Sequence, residues 1–462
     1  MRRDPEQGQI RDRTELIDQL SVACELEQGL CLQYLFTAFS LKDSPDEGLR
    51  GEALTQVRRW KADIFLIAAQ EMLHLAQAAN LLSAIGGTVQ MRRPNFPQSP
   101  HYYPTHLPWG LLPFSREAIR LYACYERPNN PTPEQQNLLG KLDFDEAALY
   151  HEQPAEFGAK RPRRHLPPRY ANQHPRSTQY ETIGALYEAI RTAILELDKR
   201  VPLFIGPPDA QVDGGMIDFP QIYKVVDSES AVAAIDLIVR QGEGCAEDRQ
   251  DSHFGLFLNI LRQYDALHAK LPGFQPARDV HPNPLSRLHV DNTNPGWRLI
   301  DDAFTRQVND LTSDVYQAMM LALYRFFATS EDTPAQRREL ARTSLYTMTT
   351  VLKPLGEALT KLPMGDVSQA DSTRPTRAGA SFEIDRMIQL LPHQLPTWLY
   401  LEERLRELAG RSQRLSLQAE AATVQGNTAY QPAIPELRSA TVTLERIAGD
   451  FSRHVPANPR RK

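Results

Sequence analysis

Cysteine is scarce in this chain. There are four in 462 residues, Cys24, Cys31, Cys124 and Cys245, and no two form a CxxC pair. Cys24 and Cys31 lie seven apart in one helical stretch, too far to bridge each other. Free thiols in a reducing compartment follow, so the cytoplasm is the expected location. A strong charge bias is also lacking. With 52 basic and 57 acidic residues the net charge is -5, which gives no support for a nucleic-acid or polybasic membrane partner. No uninterrupted apolar run reaches the ~18 residues of a membrane span. The richest segment, Ile64 to Ile85, is broken by Gln70, Glu71, His74, Gln77 and Asn80. The first residues, MRRDPEQGQIRDRTE, hold no apolar core, so no secretory signal is expected. Phosphate loops and haem-attachment CxxCH strings are missing, and strand-type alternation is weak throughout. What remains is ordinary globular composition, 41% hydrophobic and 24% charged, at a length that favours two domains or more.

Helical periodicity fills that frame. Residues 14–41 read as a helix, with Asp12 and Glu15 placed for a capping box. Residues 53–85 read as a second helix ended by Gly86-Gly87. A long proline-rich crossover, 92–178, follows. It holds short helical pieces at Ser115–Tyr125 and Pro133–Leu142, and aromatics (His101, Tyr102, Tyr103, Trp109, Phe114) suited either to a substrate wall or to a packed cover. Further helices are expected at 180–200 and 229–243, the latter resuming at 252–269. A proline-rich connector, Pro272 to Pro295, then marks a boundary. Beyond it lie helices at 297–328, 334–361, 392–420 and 435–453. Thr333-Pro334-Ala335-Gln336 starts one of them, and Pro354 should kink or end it. The fold expected is all-α: a four-helix bundle in 1–275, a second helical bundle in 296–455, and a basic tail at 456–462.

Chemistry concentrates on Glu71-Met-Leu-His74. A carboxylate and an imidazole three residues apart on a helix point the same way. They share a face with Ile64, Ile67, Ala68, Leu75, Ala78, Leu81, Leu82 and Ile85, which is otherwise apolar. Burying such a pair without a metal or other partners is costly. This is how a helical bundle presents two ligands to one ion while a second helix adds a carboxylate. Glu27 supplies that carboxylate, because it shares its face with Leu20, Ala23, Cys24, Leu30, Cys31 and Tyr34. Glu25, beside Asp18, Ser21 and Gln28, faces outward. Glu243 lies near the face of Val232, Ile235 and Val239. His253 is ten residues on, a rise of about 15 Å in an unbroken helix. A break near Gly242 and Gly244, with a restart at Asp251 or Ser252, brings the two together. The third helix buries Ile183, Leu186, Tyr187, Ile190, Ile194 and Leu197, and Glu188 on its other side either bears on the site or faces solvent. Histidines 101, 106, 151, 165 and 174 lack ligand spacing.

These strings also carry a resemblance. Glu25-Leu-Glu27…Tyr34-Leu35, the run Gln70 to Gly87, Ile183-Gly-Ala-Leu-Tyr187, Val239-Arg-Gln-Gly-Glu-Gly244 with Ser252-His-Phe254, and Leu352 to Pro363 are similar to the iminophenyl-pyruvate dimer synthase family. That family includes enzymes of violacein and indolocarbazole biosynthesis. The resemblance spans about 14 to 410. It implies a ferritin-like bundle with a split Glu243…His253 pair, two irons (manganese as the alternative), and oxidation of a small amino-acid-derived imine or amine. Glu27, Glu71, His74, Glu243 and His253 would hold metal. Ala185 stands where the resemblance implies a glutamate, so the third helix either gives no ligand or gives Glu188, one turn on. A homo-oligomer is compatible with this reading. A non-catalytic ferritin-like metal-binding or storage protein, and a structural protein that kept the fold without the chemistry, are the alternatives.

Overall fold

Two long helices set the frame of the computed structural model, which describes residues 9–89, 93–98, 107–145, 149, 180–217, 221–242, 251–287, 298–328, 331–365, 376–384, 386 and 388–455. Helix α1 (Arg13–Ser40) starts where the Asp12 side chain accepts from Glu15 N at 2.9 Å. Helix α2 (Gly51–Ala84) packs along it and ends in a turn where Gly86, at φ +90°, adopts a conformation that a side chain would oppose. From Val22 to Ser40 every residue of α1 except Glu25 is buried. A helix buried all round lies at the centre of a protein and not on its rim. The outward face expected to carry Gln28 is therefore not outward. Its amide donates to the Tyr316 hydroxyl at 2.6 Å, because the second half of the chain covers that side.

The other two rods of the first bundle are each interrupted. Helix α3 (Arg116–Tyr125), followed by the short α4 (Pro133–Leu139), lies within the crossover. Helix α5 (Ile183–Asp198) begins where α3 ends, since Arg127 Nη2 donates to Glu181 O at 2.7 Å and the Thr182 hydroxyl bonds Asn129. Helix α6 (Ser228–Gln241) ends at Gly242, and α7 (His253–Lys270) restarts under a Ser252 cap. Helix α3 packs along α7 and α5 along α6, while α1 meets α5 and α2 meets both α6 and α7. Both breaks thus face the same level of the α1–α2 pair. Nearly half of the crossover, including His101, Tyr102 and Tyr103, lies outside the described residues, as do Glu243 and the basic tail. In the part that is described, Phe114 stacks on Trp60, and Trp109 lies against the bare Cα of Gly29.

The connector is tied down by Arg278. Its guanidinium bonds Glu47, Asp43 (3.0 Å) and the Phe39 carbonyl (2.8 Å) at the end of α1. A two-residue parallel pair, β1 (Pro284–Leu285) with β2 (Arg298–Leu299), is the one sheet among the described residues. Helices α8 (Ala303–Ala328), α9 (Pro334–Thr347), α10 (Lys353–Leu359), α11 (Gln394–Val424) and α12 (Ile434–Ser452) follow. Thr333 and Gln336 cap α9 reciprocally around Pro334. Pro354 has no N–H and crowds the carbonyl one turn back, and the turn before it, Met348–Leu352, widens to a π-helix. Buried apolar residues from Ile10 to Phe451 form one continuous cluster, so the two halves share a core. Among the described residues no helix is long and apolar enough to cross a membrane.

Gly356 of α10 sits at the seam between the halves, where a Cβ would run into the ring of Phe39 on α1. An exposed helix gains from Gly→Ala by roughly 0.5–1 kcal/mol. Here Gly356→Ala should instead destabilise by about 1–3 kcal/mol through overpacking. Thermal or denaturant unfolding reads the sign directly, and a stabilised variant would mean that α10 is not seated on α1 as described.

Candidate metal centre

Five side chains meet where the two rods are broken. Glu27 of α1, Glu71 and His74 of α2, Glu126 at the end of α3 and His253 at the start of α7 are all 0% exposed. Glu71 lies at the middle. Its Oε2 is 3.2 Å from His74 Nδ1, and its Oε1 is 2.9 Å from His253 Nδ1. Beyond each imidazole stands another carboxylate: Glu27 Oε2 is 3.7 Å from His74 Nδ1, and Glu126 Oε2 is 3.6 Å from His253 Nδ1. The cluster is therefore nearly symmetric about Glu71, with one histidine and one outer carboxylate on each side.

Each ligand-type group is held from behind. The Tyr187 hydroxyl on α5 donates to Glu27 Oε1, and the Tyr34 hydroxyl on α1 donates to Glu126 Oε1. His74 Nε2 faces Gln241 Oε1 and His253 Nε2 faces Gln70 Oε1, both at 3.0 Å. Amide oxygens only accept, so both Nε2 atoms carry a proton and both Nδ1 atoms point inward. Gln241 is fixed in turn by its amide donating to Gln221 at 2.9 Å. Supports of this kind orient metal ligands and raise their basicity.

The inner atoms are left without such partners. Glu27 Oε2, Glu71 Oε1, Glu126 Oε2 and His253 Nδ1 are buried and meet no hydrogen-bonding geometry. Buried polar atoms are paired in the great majority of cases, so four orphans aimed at one another call for a ligand. The backbone makes room for it. A Cβ on Gly242 would sit 2.7 Å from His253 Nδ1 and 3.0 Å from Glu126 Oε2. Electrostatics agree. Burial pushes Glu71 well above the usual carboxylate range, and the nearby Glu126 charge adds to this. Burial drives His74 down, but the carboxylates of Glu27 and Glu71 beside it outweigh this and hold the imidazole up at about 9. Burial also raises Glu27, yet His74 brings it below its ordinary value. The upward shifts of Glu71 and His74 come from negative charge held out of water, which a cation relieves as a proton does. Carboxylate oxygens with imidazole nitrogens suit iron, manganese or zinc, and the donor set fits a divalent metal. Cys24 and Cys31, buried on either side of Glu27, have thiols raised by burial and are not part of the donor set.

The structure brings Glu27, Glu71, His74 and His253 together. Glu188 is corrected. Its side chain is 62% exposed and pairs with Arg191 at 3.1 Å, since the face opposite the buried stripe of α5 meets solvent. Ala185 is not replaced from its own helix. The extra carboxylate is Glu126, which the sequence reading missed. A periodic signal was present: Glu126 stands four residues after Tyr122 and seven after Ile119, on the buried face of α3. It lay at the end of a short piece inside a segment read mainly as loop. Glu243 lies outside the described residues, next to Gly242.

Comparison with known proteins bears on the same segment. The ferritin-like family profile matches residues 20–262, which include all five clustered residues. Dichlorochromopyrrolate synthase of Lentzea aerocolonigenes is 23% identical over 458 residues, covering 88% of this chain and 40% of that protein. 2-Imino-3-(indol-3-yl)propanoate dimerase of Chromobacterium violaceum is 23% identical over 389 residues, covering 78% of this chain and 33% of the relative. The chain thus spans well under half the length of either relative. A solved ferritin-like protein from Caulobacter vibrioides aligns with a TM-score of 0.44 at 17% identity, covering 75% of this chain and 98% of that one. With the family profile matched over more than half of its residues, this chain belongs to the ferritin-like family.

Proposed function

We propose that the protein is a dinuclear-metal oxidoreductase of specialised metabolism acting on a small, amino-acid-derived imine or amine. The observation that carries the metal reading is Glu71, whose two oxygens face two different histidines. One ion would be held by Glu27, His74 and Glu71, and the other by Glu126, His253 and Glu71. Glu243, adjoining the Gly242 cradle, is proposed as a further ligand. Bound there, two iron ions, or manganese as the alternative, would supply the redox chemistry that none of these side chains can supply.

The chain's own residues do the rest. Tyr187 and Tyr34 each engage one oxygen of an outer carboxylate, which leaves the other oxygen to face inward. Gln70 and Gln241 keep the protons on Nε2 and so keep both Nδ1 atoms available. Complete burial of the cluster keeps bulk water from the reacting atoms and strengthens each electrostatic contact inside. The substrate class rests on the relatives, one of which is named for a 2-imino-3-(indol-3-yl)propanoate. Substrate-dependent consumption of dioxygen or peroxide, with a 2-imino-3-arylpropanoate generated in place, separates this reading from a storage protein. A storage protein would take up metal and leave the imine untouched.

Elemental analysis should find close to two metal ions per chain, as in two-metal sites whose ions sit roughly 3.5–4 Å apart. Glu71→Ala should lose both, and Glu27→Ala and Glu126→Ala about one each. Glu188→Ala should change nothing. Full metal content in Glu126→Ala would remove the second position as drawn.

Gly242→Ala is a sharper probe, because the methyl would enter the cradle without removing any ligand. It should lower metal content to one or fewer while circular dichroism stays unchanged. Wild-type loading would mean that the space beside His253 is not where an ion sits. Chelation should also lower stability, since a ligand present at a hundred times its Kd contributes about 2.7 kcal/mol to the folded state. A melting temperature indifferent to chelator would contradict tight binding at this centre.

A further inference from the structure

A second site lies a quarter-turn round the same two helices. Gln28 follows Glu27, Met72 follows Glu71 and Leu75 follows His74. At about 100° per residue these neighbours face away from the metal cluster, toward the second bundle. There, between α1 and α2 on one side and α8, α9 and the π-turn on the other, is a cavity of about 90 Å3. Its far wall carries Phe326, Phe327, Tyr316 and Phe382. Four of the chain's nine methionines line it: Met72, Met319, Met320 and Met348.

The polar groups in the wall are almost all engaged elsewhere. Ser344 Oγ donates to Leu340 O at 2.9 Å within its own helix. The Lys353 ammonium sits over the Phe65 ring at 4.1 Å. What remains is the Gln28–Tyr316 pair at 2.6 Å, a single polar spot in an apolar, aromatic wall. Apolar cavities of this kind stay dry and accept small hydrophobic molecules; one of roughly 150 Å3 holds benzene. The volume here is smaller, but methionine has three rotatable bonds and a polarizable sulfur that favours aromatic rings. Four such side chains allow the wall to open around a ring where leucines would not.

We propose that this inter-bundle cavity binds a small, uncharged aromatic molecule, with its rings among the methionines and phenylalanines and any single polar atom at Gln28–Tyr316. A charged ligand is disfavoured, because the one charged group in the wall, the Lys353 ammonium, is turned to the Phe65 ring. The inference does not depend on the metal reading, since no metal-ligand side chain lines the cavity.

The test uses indole as probe on the full chain carrying 13C-methyl methionine, run once as purified and once after chelation. Saturable shifts of the Met72, Met319, Met320 and Met348 methyl signals are expected in both, with Met364, buried in a separate cluster, unmoved. Ala341→Phe places a ring in the cavity from α9 and should weaken the shifts at least tenfold. Where that variant fails to fold, Ala76→Leu fills the space from α2 and should act in the same direction. Equal shifts of all methionine signals, or shifts that survive both filled variants, would overturn the proposal. Loss of the shifts only after chelation would overturn its independence from the metal centre.

Discussion

Three carboxylates and two imidazoles are held out of water within a few ångströms of one another. Everything else in the first bundle can be understood as serving that arrangement. Alone, each buried carboxylate would be costly, and together their repulsion adds to the cost of desolvation. The protein meets the outer oxygens with tyrosine hydroxyls and the outer nitrogens with glutamine amides, and leaves the inner atoms without such partners. The frame also follows from this need. Two continuous helices carry Glu27, Glu71 and His74, and both remaining rods break at the same level. Helix ends can bring Glu126 and His253 inward at angles that the side of an unbroken rod would not give.

The second bundle completes what the first cannot cover. Helix α1 is buried on almost every side, which is possible only because α8 and α10 close over the face opposite the crossover. Gln28 illustrates the point: on the helical wheel it groups with outward residues, yet it ends in a buried bond to Tyr316. The seam is well packed at Gly356 against Phe39 and loosely packed around the methionines. One junction thus joins the halves rigidly at one place and leaves room for a ligand at another.

Much of this was legible from the residues. Helix positions followed from apolar periodicity and capping strings, and the start of α9 at Thr333-Pro334 came from local rules of the backbone; Pro354, expected to kink or end its helix, instead follows a widened π-turn and lies in the first turn of α10. Glu71 and His74 stood out because an apolar stripe makes an acid and an imidazole anomalous. The break before His253 was readable from Gly242 and a polar run. Less legible were residues whose place depends on distant parts of the chain. Glu126 sits after a ten-residue helix, too short for its stripe to announce a buried acid. Glu188 lay on a face whose partner could not be known, and solvent turned out to be that partner. Tyr34 and Tyr187 read as core aromatics, because nothing in a one-dimensional pattern distinguishes a packed ring from one whose hydroxyl meets a carboxylate.

The central claim is that Glu71 stands between two metal positions. Anomalous diffraction at the iron edge from crystals of protein loaded with iron tests it most directly. Two peaks are predicted, one between Glu27 and His74 and one between Glu126 and His253, with the Glu71 carboxylate spanning them. A single peak, or metal bound away from Glu71, would contradict the account.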